Sequence, residues 1–208
     1  MKYNLNNSKD IWDTHYKRDK SMLVYPDENL VRVLSRVKPE GEALDFGAGS
    51  GRHSVLLERL GYKVTAVDYS QNSIHLIQTR YPNIQTKIVN EPPYPFENEQ
   101  FSLIVSWGVL HYNEPEKAKI IIDEYQRMLE KEGHLVGTIR AATDTHLKLK
   151  DGIVGLEDIK NSKVCLYTLE DLKQLLGSFA NVQYAYMERT PLGQLEDRIC
   201  HWIFLAKN

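Results

Sequence analysis

The chain has 208 residues, enough for one domain with a sizeable core or one domain plus a small lid. A formal net charge of -2 gives no general electrostatic reason to expect nucleic acid or an anionic membrane as partner. Two cysteines, Cys165 and Cys200, lack metal-type spacing and argue against a disulfide framework or a zinc site. No apolar run approaches bilayer length and the N-terminal stretch has no apolar signal region, so the expectation is a cytoplasmic protein with reduced thiols.

In chain order, the first forty or so residues predict two helices, over 10–18 and 27–37, whose Trp12, Tyr16 and Tyr25 could form a flap over the sheet edge. Short β-rich runs then alternate with helical patterns. A strand over 43–46 leads into a glycine loop and a helix over 54–60, which Gly61 is placed to end. A strand over 63–68 precedes a helix over 73–81 that stops before Pro82. Residues 84–89, 101–106 and 134–139 are further strand candidates, and 115–133 reads as one long amphipathic helix with a glycine stop. Such alternation implies parallel crossovers and a sheet covered on both faces. Residues 140–167 form an irregular insertion, either a lid or a loose crossover. After a helix over 168–179, with Thr168 as N-cap, two β-rich runs over 182–189 and 198–206 are joined by a short connection containing Pro-Leu-Gly. That spacing suits a hairpin, which turns the last strand antiparallel to the others.

The most informative stretch is Ala43 to Ser54, ALDFGAGSGRHS. Gly47, Gly49 and Gly51 sit between a strand and a helix, where a doubly wound sheet binds ligands. A dinucleotide fingerprint would need glycine at position 52, where the chain has arginine, and no G-K-[ST] follows for a phosphate loop. Asp45, two residues before the first glycine, would repel phosphate. It suits a cofactor with a cationic end, such as S-adenosylmethionine (SAM), whose ammonium a carboxylate attracts directly or through water. Asp68 at the end of the second strand can accept both ribose hydroxyls, and Tyr69 can pack on adenine; nicotinamide enzymes also use an acid there, and Asp68 could instead only cap the next helix.

Together, residues 43–74 resemble the first motif and second strand of class I SAM-dependent methyltransferases. Residues 95–112 resemble the family's fourth-strand segment, 128–139 its helix and fifth strand, and 167–183 the stretch before its sixth. The Gly-Ser-Gly-Arg-His-Ser variant and the size are similar to small-molecule members, including the tellurite-resistance-like branch. The resemblance implies an α/β fold: a Rossmann-like, doubly wound seven-stranded sheet in the order 3-2-1-4-5-7-6, strand 7 antiparallel, with helices on both faces. It would form a single domain over 1–208, with a helical cap over 1–40 and the insertion over 140–167. It also implies that Asp45, Gly47, Ala48, Gly49 and Gly51 hold the methionine end of SAM, with Asp68 on the ribose and Tyr69 on the adenine. An acid after the third strand usually bonds the adenine amino group. Here Asn90 occupies that place with Glu91 beside it, and either could take the contact.

The stretch Asn90 to Tyr94, NEPPY, is similar to a signature of amino-group methyltransferases, but that signature follows the fourth strand and this one precedes it. Pro92 and Pro93 read as loop stiffeners. His111, just past the fourth strand, is either a general base or a rim histidine bonded to backbone. Trp107 either walls the sulfonium by a cation–π contact or belongs to the core. His15, Tyr16 and His146 are candidate lid or substrate contacts. The expected function is SAM-dependent methyl transfer to an O, N or S nucleophile of a small molecule, by a monomer or homodimer, with no metal, nucleic acid or membrane involved. A nicotinamide-dependent oxidoreductase and a non-catalytic SAM-binding module are the alternatives.

Overall fold

In a computed structural model, which describes residues 5–18, 21–156, 159–160 and 162–208, the β-rich runs pair into one seven-stranded sheet. Residues 1–4 and 19–20 of the expected cap and residues 157, 158 and 161 of the expected insertion lie outside the described residues. The order is β3-β2-β1-β4-β5-β7-β6, as the family resemblance implied. The strands are β1 (Glu42–Phe46), β2 (Lys63–Asp68), β3 (Gln85–Ile88), β4 (Phe101–Trp107), β5 (Leu129–Arg140), β6 (Asn181–Arg189) and β7 (Ile199–Lys207). The first five pair in parallel, and β7 runs antiparallel to both β5 and β6.

The period-2 alternation of the central strands divides the core into two layers. In β1, Leu44 and Phe46 join a cluster with α5 (Pro115–Met128) and α6 (Leu169–Leu175), through Ile121, Tyr125 and Leu172. Ala43 faces the other way. It packs with Leu103 and Val105 of β4 against α2 (Glu28–Leu34), α3 (Arg52–Arg59) and α4 (Gln71–Arg80), through Leu30, Leu57 and Ile77. β1 therefore lies buried between two helical layers, which is why its sequence reads as an apolar run broken only by Asp45.

Helix α5 corrects one expectation. Its apolar stripe, Ala118, Ile121, Ile122, Tyr125 and Met128, continues in register to Leu129, but the helix ends at Met128 and residues 129–133 open the fifth strand. Pairing drives the change. Leu129 stands opposite Phe101, His134 opposite Leu103, and the surplus residues form a bulge in which Glu132 takes a φ of 69°.

A third apolar cluster lies outside the two layers. Leu147, Val154, Ile159 and Val164 of the 140–167 segment pack with Trp12 of α1 (Leu5–His15) and with Tyr112 of the 3-10 turn after β4 (Leu110–Tyr112). Trp12 and Tyr16 pack into this cap, but Tyr25 does not join it: its side chain is 84 % exposed. Among the described residues, no helix is long and apolar enough to cross a membrane, and no His/Cys/Asp/Glu cluster could hold a metal ion.

Candidate active site

The glycine loop is bound almost entirely to the protein itself. The Gly47 and Ala48 N–H groups donate to the Val67 carbonyl at 2.8 and 2.9 Å, and Gly51 N–H donates to the Ala48 carbonyl at 2.9 Å. Gly49 N–H donates to Asp68 Oδ2 at 2.9 Å, while Ser73 Oγ donates to the Gly49 carbonyl at 2.6 Å. The donors that a pyrophosphate would need at Gly47–Gly49 are thus already used by the end of β2. Gly49 has a φ of 56°, and a Cβ there would lie 2.3 Å from Tyr16 Oη. At Gly47 a Cβ would lie 2.4 Å from Val109 Cγ2. The loop is glycine-rich because Tyr16, just past α1, crosses it on one side and the segment after β4 crosses it on the other.

Both acids stand behind or beside this loop. Asp45 points toward the α3 layer, is 1 % exposed, and accepts a 2.6 Å bond from Ser54 Oγ. Burial pushes its carboxyl up to about 6, against the pull of the Ser54 bond. Asp68 accepts from Gly49 N–H and, through Oδ1, from Ser70 N–H at 2.9 Å. Burial raises its carboxyl above the ordinary value, and the two backbone donors oppose that rise.

Two cavities flank the loop. The first, about 450 Å³, is lined by Gly47, Asp68, Tyr69, Asn90 and Glu91, with Phe46, Val89 and Ile121 supplying apolar wall. Here Glu91 is held by Lys117 at 2.8 Å. The second, about 500 Å³, opens on the other side of Gly47 toward Ala48, Gly49, Trp107 and His111. Gly47, Gly108, Trp12, Tyr16 and Tyr112 line both, so an aromatic seam from the cap separates two spaces that meet over Gly47. Asp45 lines neither cavity and Gly51 begins α3 as its N-cap.

Trp107 is half-buried, with its ring edge-on to His53 at 5.9 Å. His111 is 2 % exposed; its Nδ1 has no hydrogen-bond partner, and its ring stands 4.3 Å from Tyr112 and 6.1 Å from His201. Burial first, then His201 and Arg140, depress the His111 pKa well below its usual value, so the imidazole is neutral at pH 7. His146 also lines the second cavity, 3.6 Å from Asp197.

The rest of the second cavity went unread in the sequence. Arg52, His53, Arg140, Arg189 and His201 converge on it from α3, β5, β6 and β7. Only the sheet order brings them together: Arg140 of β5 stands opposite His201 of β7 in the antiparallel register. The expected hairpin and the strand order 5-7-6 contained that neighbourhood, but choosing these side chains required the register.

Comparisons agree with this fold and loop. A family model described as a methyltransferase domain matches residues 43–133. A probable S-adenosyl-L-methionine-dependent methyltransferase TehB from Haemophilus influenzae is 30 % identical over 107 residues, covering 50 % of this chain and 37 % of that protein. An uncharacterized methyltransferase from Staphylococcus carnosus is 24 % identical over 149 residues, covering 72 % of this chain and 65 % of that protein. The chain thus spans less than two thirds of either curated relative. The crystal structure of a SAM-dependent methyltransferase from Methanosarcina mazei superposes with a TM-score of 0.71 at 19 % identity, covering 85 % of this chain and 96 % of that one.

Proposed function

We propose that the chain is a class I SAM-dependent methyltransferase and that it transfers the SAM methyl group to a small-molecule acceptor seated in the second cavity. The observation that carries this reading is the state of the glycine loop: its N–H groups at Gly47, Ala48 and Gly49 are spent on protein oxygens, and two buried acids stand beside it. Such a site repels a pyrophosphate and accepts a ligand with a positive end, which argues against a nicotinamide dinucleotide.

In this reading the first cavity takes the adenosine. Asp68, fixed by two backbone donors, presents its carboxylate to the ribose hydroxyls, and Tyr69 packs against the adenine. Glu91 is engaged by Lys117, so Asn90 is the better acceptor for the adenine amino group. The methionine end crosses Gly47 to Gly49 under Tyr16. Asp45 acts from behind the loop, favouring the ammonium through the field of its buried charge and fixing the start of α3 through Ser54.

When bound, SAM supplies an activated methyl on a sulfonium, so the protein's work is orientation and exclusion of water. Trp12, Tyr16 and Tyr112 close the seam, and Leu147, Val154, Ile159 and Val164 pack with Trp12 and Tyr112 on one shared apolar cluster, so that cap and insertion form a cover for the reacting centre. Trp107 walls the methyl's approach, and neutral His111 takes a proton from an acceptor that must lose one. Transfer of labelled methyl from SAM to a panel of small O, N and S nucleophiles tests the reading. Turnover on at least one acceptor, reduced by His111→Ala, is expected; a panel without any transfer, with SAM bound, would favour a non-catalytic module.

A further inference from the structure

The second cavity has an electrostatic character that methyl transfer as such does not require. Arg52, Arg140 and Arg189 all line it, and among its described lining residues only Asp27 carries an opposing charge. Burial disfavours the charge of Arg52 and of Arg140 most, Asp27 and Asp144 respectively favour it, and the Arg189 guanidinium disfavours both. Asp144, beneath the wall, is bound at 3.1 Å by Arg140 Nη1, but its carboxylate is also occupied by the N–H groups of Leu147 and Cys200.

Ser21 Oγ, His111 Nδ1 and His146 Nδ1 in this wall lack hydrogen-bond partners, and so do two donors on neighbouring strands. Arg140 Nη1 lies 3.3 Å from His201 Nε2. A guanidinium can only donate, so Nε2 accepts and the neutral imidazole carries its proton on Nδ1. His201 Nδ1 and Arg140 Nε are both buried without a hydrogen-bond partner, although the Arg140 side chain is only 10 % exposed. Buried donors left unpaired cost free energy until an acceptor arrives. Around them Trp107, Leu156, Ile159 and Ile199 offer apolar surface to the body of a ligand.

We propose that the second cavity selects a methyl acceptor carrying a carboxylate on an apolar body, with Arg140, Arg189 and His201 holding the carboxylate. This rests on the methyltransferase reading for the word acceptor, but not for the anion site. A planar carboxylate matches the fork of an arginine and accepts several bonds at once. A negative acceptor is also drawn toward a sulfonium, whereas a cationic one would be repelled by both the arginines and SAM.

The test is calorimetric titration of the protein, saturated with S-adenosylhomocysteine, with benzoate and with its neutral isostere benzamide. Benzoate should bind more tightly by about tenfold or more, the scale of one lost charge-assisted hydrogen bond. Arg189→Gln and Arg140→Gln should each remove that preference while leaving S-adenosylhomocysteine affinity unchanged. The Arg140 side chain is nine-tenths buried and its loss could unfold the chain, so Arg189→Gln, at the exposed end of β6, keeps the test decisive. Equal affinity for the two probes, binding of neither at millimolar concentration, or an unchanged preference in Arg189→Gln would overturn the proposal. Failure of S-adenosylhomocysteine to bind would instead sink the methyltransferase reading, and the benzoate arm run on the protein alone would still report on the anion site.

Discussion

Three histidines in the wall of the second cavity have their charge suppressed by burial and by neighbouring arginines. His53 and His201 are held down to about 3, and His111 lies well below its ordinary value. A histidine whose folded pKa is depressed contributes stability above its unfolded pKa, near 6.5, and that contribution is lost as the pH falls toward the folded value. Asp45, held up to about 6, works in the opposite direction: below pH 6 the native state takes up a proton that the unfolded chain takes up only near 3.8. Three histidine protons outweigh the buried acids, so stability should fall from pH 6.5 to 5 by about 1.4 kcal/mol per pH unit for each unbalanced proton. Chemical denaturation at several pH values checks this. His201→Gln should flatten the dependence by about one proton; stability that stays constant from pH 7.5 to 5 would contradict the neutral-histidine account.

At the scale of elements, the cap is held to the start of α4 by specific bonds as well as apolar packing. Asp13 of α1 accepts from Ser70 Oγ at 2.5 Å, its carbonyl accepts from Asn72 Nδ2 at 3.0 Å, and Ser70 is the N-cap of α4. A carboxylate beside a helix N-terminus is favoured by the unpaired N–H groups there. Asp13→Ala should loosen α1 by about 1–2 kcal/mol. Amide hydrogen exchange would then speed up in α1 while β1, β2 and β4 keep their protection, and unchanged protection of α1 would show that Trp12 packing alone holds the cap. Elements were legible where the signal was local. The run 63–68 became β2 with the same bounds because a buried strand between a glycine stop and an acid has few alternatives. The stretch 129–133 was misread as helix because its periodicity continued that of α5, and only the partners Phe101 and Leu103 decide its state. Tyr25 was grouped with Trp12 and Tyr16 by residue type alone, and nothing in the sequence records that it points outward.

Across the whole molecule, the parallel strands deliver their C-terminal ends to one edge of the sheet, and the loops there build both cavities. The half built from β1 and β2 could be read from sequence, because the glycine loop, Asp45 and Asp68 fall within about one supersecondary unit and their chemistry is mutually restrictive. The half built from β5, β6 and β7 could not, because Arg140, Arg189 and His201 meet only through strand register. The same contrast separates cofactor from acceptor: the first is argued from a contiguous motif, the second from a cavity assembled by topology. The central claim is that this loop accepts a cationic, phosphate-free adenosyl cofactor. Parallel calorimetric titrations with SAM and NADH, on the unaltered protein and on Asp68→Asn, test it most directly. The account predicts one SAM per chain, no heat from NADH, and SAM affinity weakened about tenfold or more in Asp68→Asn; saturable NADH binding with no SAM binding would contradict it.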